Sequence, residues 1–144
     1  MTNDAVVDTS VLFSACHSRS GSARDLVDAA LDGNIALAVS SYILAEVRRN
    51  LVRKSDHGLA TLNVILASGV LSIIEPDDET ILAITSVVAG KDAPVIAAAM
   101  AARAPIVATY DRRHLLSRAN EILRTFGVEV LTPDEVLRRL ETAE

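Results

Sequence analysis

The chain has 144 residues, room for one domain around one core; half are hydrophobic and 23% charged, a balance that excludes the disordered class. A formal net charge of −5 excludes a generally basic nucleic-acid coat, although Arg48, Arg49, Arg53 and Lys54 cluster, as do Arg112, Arg113 and Arg118, either as a local basic rim or as solvated helix faces. With no Trp, two Phe and two Tyr, the core has to be aliphatic.

Ala5-Val6-Val7 is a short apolar run that stops at Asp8 and reads as a buried strand. Ser22 to Leu31 carries Ala23, Leu26, Val27, Ala30 and Leu31 at helical spacing and is stopped by Gly33. Ile35 to Val39 reads as a second strand, and Ser40 or Ser41 can cap the helix whose stripe is Ile43, Leu44, Val47 and Leu51. Leu59 to Ala67 reads as helix and Val70 to Ile74 as a third strand. Asp77, Asp78 and Glu79 crowd a helix start, where negative charge is favoured, and Ile81 to Val88 follows as the helix. Asp92 opens another helix, with Pro94 in its first turn, that runs to about Arg103 before Pro105 breaks it. Ile106-Val107-Ala108 is a fourth strand, Leu115 to Phe126 is partly helical, and Val128 to Leu131 is a fifth strand. Thr132-Pro133-Asp134-Glu135 is a capping box that starts the last helix. Strands that alternate with helices, and that lack in–out alternation themselves, predict a three-layer α/β fold with a parallel sheet of about five strands, residues 1–144 forming a single domain.

One cysteine, Cys16, excludes an intramolecular disulfide, and no His or Cys pair has structural zinc spacing. The opening Met-Thr-Asn-Asp lacks a basic-then-apolar signal, and no apolar run approaches the ~18 residues of a membrane span. A cytoplasmic location is expected.

In open parallel sheets, ligands gather beyond the carboxyl ends of the strands. Asp8 directly follows the first strand, Asp111 follows the fourth, Asp92 begins the helix before the fourth, and Glu46 lies on the helix after the second. All four acids can converge on one sheet edge. Each also has a local explanation: Asp8 and Asp92 as caps, Asp111 as an Asx turn before Arg112, Glu46 as a surface partner of Arg49. Clustered carboxylates resist full ionisation, and a hard divalent cation relieves the crowding, so together they read as a metal cage. Such a site can activate water and stabilise charge on a phosphodiester without a covalent protein nucleophile.

Four segments carry a family resemblance. Val7-Asp8-Thr9-Ser10-Val11-Leu12 resembles the opening motif of PIN domains; Ser40-Ser41-Tyr42-Ile43-Leu44-Ala45-Glu46-Val47 resembles their second motif, centred on Glu; Lys91-Asp92-Ala93-Pro94-Val95-Ile96 resembles the third; and Ile106-Val107-Ala108-Thr109-Tyr110-Asp111 resembles the fourth, Thr-x-Asp. The order and spacing match over nearly the whole chain. Within that family it is most similar to the VapC-like toxins of toxin–antitoxin pairs. The resemblance implies sheet order 3-2-1-4-5, Mg²⁺- or Mn²⁺-dependent hydrolysis of single-stranded RNA, an antitoxin partner and a homodimer. It implies Asp8, Glu46, Asp92 and Asp111 as the catalytic acids, with Asp8, Asp92 and Asp111 on the metal. Ser10 would support the first Asp and Thr109 would orient the last.

Three departures bear on the chemistry. Ser10 replaces the commoner Asn but keeps a polar group; Tyr110 stands where Gly is frequent and offers a surface for stacking a base; and Arg113 replaces a further acid found in some members, which favours one ion over two. Arg49, Arg53 and Arg112 are the candidate RNA contacts. An alternative is a PIN-fold module whose acids are idle and which acts by binding RNA or protein. Other α/β chemistries lack their residues: the second Asp of a haloacid-dehalogenase Asp-x-Asp is Ser10, the late lysine of a receiver domain is missing after Lys91, and no G-x-G-x-x-G or G-x-x-x-x-G-K cradle occurs. His17, His57 and His114 are scattered and read as surface or helix residues.

Overall fold

In the computed structural model, which describes residues 4–88 and 90–142, the first strand is β1 (Ala5–Val7), all three residues buried. It is followed by α1 (Thr9–His17), α2 (Ser22–Leu31), β2 (Leu37–Ser40), α3 (Ser41–Lys54), α4 (Asp56–Ala67) and β3 (Leu71–Ile74). Then come α5 (Asp78–Ile84), α6 (Ala93–Ala102), β4 (Ile106–Ala108), a 3₁₀ turn at Leu116–Arg118, α7 (Ala119–Phe126), β5 (Glu129–Leu131) and α8 (Pro133–Thr142). The strands form one parallel sheet in the order β3-β2-β1-β4-β5, as the resemblance implied.

Both faces of the sheet's central strands are covered, while the edge strand β3 leaves Ser72 and Ile73 exposed. Successive strand residues point to opposite faces, and β1 shows the consequence: Ala5 and Val7 enter one core with α1, α2, α3 and α4, while Val6 enters the other with Ile84, Ile96 and Ile122 of α5, α6 and α7. A strand buried on both faces has to be apolar throughout, which is why β1 and β4 carry no alternation. The Ala-rich α6 buries seven of its ten residues against β1, β2, β3 and β4. It ends where Arg103 takes a left-handed φ of 56° before Pro105.

Several boundaries differ from the sequence expectation. Thr9–His17 is a full helix, an element absent from the sequence expectation. Its buried Val11, Leu12, Ala15 and Cys16 recur at helical spacing, and packing on α2, α3 and α4 outweighs the modest helix propensity of its Thr, Ser and Val residues. α4 starts three residues earlier than expected because the Ser55 hydroxyl accepts from the Gly58 N–H at 3.1 Å. α5 starts at Asp78, capped by Asp77 (2.8 Å from Thr80 N), and ends at Ile84 rather than Val88. The expectation that residues 1–3 begin no signal segment lies outside the described residues. Among the described residues, no helix is long and apolar enough to cross a membrane.

Candidate active site

β1 and β4 are hydrogen-bonded neighbours, with Val7 opposite Ala108. The sheet order reverses between them, so the chain leaving β1 and the chain leaving β4 turn to opposite faces and open a crevice. Asp8 and Asp111 stand at its two lips. Asp8 occupies the N-cap position of α1 with an extended backbone, yet its side chain makes no capping bond. Its Oδ2 instead accepts from the Thr109 hydroxyl at 2.7 Å. The same hydroxyl oxygen accepts from the Asp111 N–H at 3.0 Å, so one fully buried threonine ties both lips together. Ser10 adds a second tie, its hydroxyl accepting from the Tyr110 N–H at 3.1 Å. The Tyr110 phenol is hydrogen-bonded to the Ser22 hydroxyl at the start of α2.

Asp92 reaches the crevice from the N-cap position of α6, again without a capping bond. Its Oδ2 is buried with no hydrogen-bond partner. Glu46 enters from α3, its Oε1 accepting from the Thr9 hydroxyl at 2.5 Å. The result is a cleft of about 470 Å³ lined by Asp8, Ser10, Glu46, Asp92 and Asp111, with Thr9, Lys91 and Tyr110 beside them. All four acids proposed from the sequence therefore meet on one sheet edge.

Burial is the main cause that pushes the Asp8 carboxyl above its usual range; the Thr109 hydroxyl and the Thr9 backbone oppose it, and the charges of Asp111 and Asp92 add to it. Asp92 is also pushed up, first by desolvation and then by the Asp111 charge; His114 and Lys91 oppose this, and Glu46 adds to it. A buried, unpartnered carboxylate oxygen costs free energy unless something accepts its lone pairs. The donors here are chiefly carboxylate oxygens, the set that hard divalent cations select. The residues present thus fit a divalent cation. One donor atom each from Asp92, Asp111 and His114 lie within 4.8 Å of one another.

The local explanations separate cleanly. Glu46 and Arg49 form no ion pair; Glu46 is spent on Thr9. The capping explanation fails for the side chains of Asp8 and Asp92. The turn explanation holds in part for Asp111, whose Oδ1 accepts from the His114 N–H three residues on, at 2.9 Å. Arg49 and Arg53 lie outside the acidic cleft and line a separate groove on α3 with Ala45, Arg48 and Val52. Arg112 lines neither; the cation on the acidic cleft is Lys91. Thr9 and Lys91 stand in the motifs with no role assigned from the sequence, and His114, read there as a surface or helix residue, lies beside Asp111 at the site instead. Thr9 and Lys91 adjoin motif acids, and His114 stands three residues after Asp111, within reach of it around one turn. His17 and His57 are also not independent: their rings stack at 5.4 Å between centroids, away from the acids.

Fold and site together define an α/β protein with a carboxylate-lined crevice at the switch point of its parallel sheet. Residues 4–113 match the PIN domain, and the chain belongs to that family. Three solved structures share the fold. PAE2754 from Pyrobaculum aerophilum has a TM-score of 0.63 at 19% identity, over 97% of this chain and 90% of that one. VapBC2 from Rickettsia felis, bound to a DNA fragment from their promoter, has a TM-score of 0.61 at 17% identity, over 88% and 96%. FitAcB from Neisseria gonorrhoeae has a TM-score of 0.58 at 21% identity, over 90% and 97%. No curated protein matches the chain in sequence.

Proposed function

We propose that this chain is a metal-dependent endoribonuclease that hydrolyses phosphodiester bonds of single-stranded RNA, and that it is the toxin of a toxin–antitoxin pair. The observation that carries the catalytic part is the buried, unpartnered Asp92 Oδ2 in a cleft shared with Asp8, Glu46 and Asp111. Asp8, Asp92 and Asp111 are the residues that would hold Mg²⁺ or Mn²⁺. When bound, such an ion supplies Lewis-acid stabilisation of the phosphoryl charge and lowers the pKa of water.

The chain's own residues do the rest. Glu46, oriented by the Thr9 hydroxyl, positions the attacking water and takes its proton. Thr109 fixes the separation of Asp8 and Asp111 through its two hydrogen bonds, and Ser10 steadies the Tyr110 backbone between them. Lys91 contacts the phosphate at the cleft, with Arg49, Arg53 and Arg112 on flanking phosphates and Tyr110 available to stack a base. Residues 1–144 act as one PIN domain, since α8, beyond the matched residues, packs on α2 and β5. The toxin role, the antitoxin partner and a homodimer rest on the VapC-like motifs. A cytoplasmic site of action agrees with a single buried thiol and no disulfide framework.

The test is cleavage of labelled single-stranded RNA in Mg²⁺ or Mn²⁺, with and without EDTA. Asp8→Asn and Asp92→Asn should each reduce the rate by about 100-fold or more while leaving circular dichroism unchanged. Full activity of Asp8→Asn in metal-controlled buffer would end the cage reading. RNA binding by the wild-type chain without metal-dependent cleavage would favour the idle module.

A further inference from the structure

We infer that His114 is a nitrogen donor to the cation in this cleft, and that it makes the site select Mn²⁺ over Mg²⁺. The inference rests on the proposed metal site and adds a ligand to it from outside the four motif acids.

His114 is held where a ligand has to be. Its backbone N–H donates to Asp111 Oδ1 at 2.9 Å, which folds the segment after β4 back on itself and sets the imidazole beside the same carboxylate. Nδ1 then lies 3.4 Å from Asp111 Oδ2. That separation suits two donors on one cation as well as it suits an ion pair, and no hydrogen bond joins the two atoms. Asp111 therefore divides its oxygens: Oδ1 is spent on the backbone, and Oδ2 faces the ring. From the other side, α6 delivers Asp92, whose Oδ2 has no hydrogen-bond partner. Asp92, Asp111 and His114 each bring one donor atom into a group whose members lie within 4.8 Å of one another. Two carboxylates and one imidazole form a mixed oxygen and nitrogen set. Mg²⁺ is a hard ion that favours oxygen donors and keeps several waters. Imidazole suits the divalent transition ions; Mn²⁺ among them still favours oxygen donors, but it takes a nitrogen donor more readily than Mg²⁺, which gives up its waters reluctantly. An all-carboxylate cleft would leave the choice between the two ions nearly open; an imidazole tilts it.

The test is pulsed electron paramagnetic resonance on the full chain loaded with Mn²⁺ alone, together with calorimetric titration of Mn²⁺ and of Mg²⁺. The expected result is a ¹⁴N coupling of a directly bound imidazole in the wild-type chain. It should be lost in His114→Asn, which should also bind Mn²⁺ about 10-fold more weakly while its Mg²⁺ affinity changes far less. His114→Gln serves as the second variant should His114→Asn not fold, because the wild-type coupling alone does not distinguish His114 from His17 or His57. Bound Mn²⁺ without ¹⁴N coupling, or a coupling that survives in His114→Asn, overturns the role of His114 and leaves the carboxylate site standing. Absence of Mn²⁺ binding overturns both.

Discussion

Thr109 holds two acids with one hydroxyl. It donates to Asp8 and accepts from the Asp111 backbone, and it is wholly buried. Thr109→Val keeps the shape and removes both bonds, which leaves the Asp111 N–H and Asp8 Oδ2 without partners. The expected cost is about 1–3 kcal/mol in urea unfolding, with Asp8 pushed further up because a bond that favours its ionised form is gone. Thr109→Ser should recover most of the loss; equal stability of the valine variant would mean that the hydroxyl does not tie the lips. The acids themselves were legible in the sequence because each sits at a strand end or helix start, and a parallel sheet fixes which edge those positions share. Ser10 and Thr109 were legible only through the motifs. His114 was not, because its meeting with Asp92 joins a helix start to an irregular turn, and no periodic pattern signals such a contact.

At the scale of elements, β1, β2 and β4 were readable because burial on both faces forces short apolar runs, whereas the edge strand β3 keeps Ser72 and Ile73 exposed. The helix α1 was not readable, since its residue types favour no state and only the packing of three neighbouring helices decides. The last helix was readable from its capping box, which is formed: the Thr132 N–H donates to Glu135 Oε1 at 3.0 Å, and the Thr132 hydroxyl accepts from the Glu135 N–H at 3.3 Å. A tie that the sequence pattern did not reveal joins β5 to α8, where Arg139 grips Glu129 with two bonds of 2.6 and 2.5 Å. The Arg139 hydrogen bond holds the Glu129 carboxyl below its usual range; burial opposes it, and the Arg139 charge adds to it. A carboxyl lowered on folding adds stability above its ordinary value of 4.5 and loses it as pH falls through the folded value. Both side chains are partly exposed, so solvent screening keeps the contribution small. Arg139→Met should therefore lower urea stability slightly at neutral pH, and the difference from wild type should vanish in acid and shrink in high salt. A difference that persists in acid would assign the effect to packing of the arginine stem.

For the molecule as a whole, the sheet's reversal between β1 and β4 creates the crevice, and the cost of filling it with acids falls on folding. Asp8 and Asp92 are both raised in the folded chain. As pH climbs above their ordinary value of 3.8, the unfolded chain gives up these protons first, so the metal-free fold loses stability through the folded values. A cation that binds only the folded state reverses this. At ~100 times its dissociation constant it adds about 2.7 kcal/mol, which for a chain of this length corresponds to a rise of roughly 5–10 °C in melting temperature. The rise should grow between mildly acidic and neutral pH as the carboxyls ionise, and EDTA should cancel it. Asp92→Asn, which removes the unpartnered oxygen's charge, is expected to melt no lower than the wild type without metal and to show little rise with it. Scanning calorimetry of both proteins across pH, with and without Mn²⁺, reads all of these at once. A rise of the same size in Asp92→Asn would mean that the ion binds elsewhere on this acidic chain, and that the crowding in the crevice is tolerated by some means other than a cation.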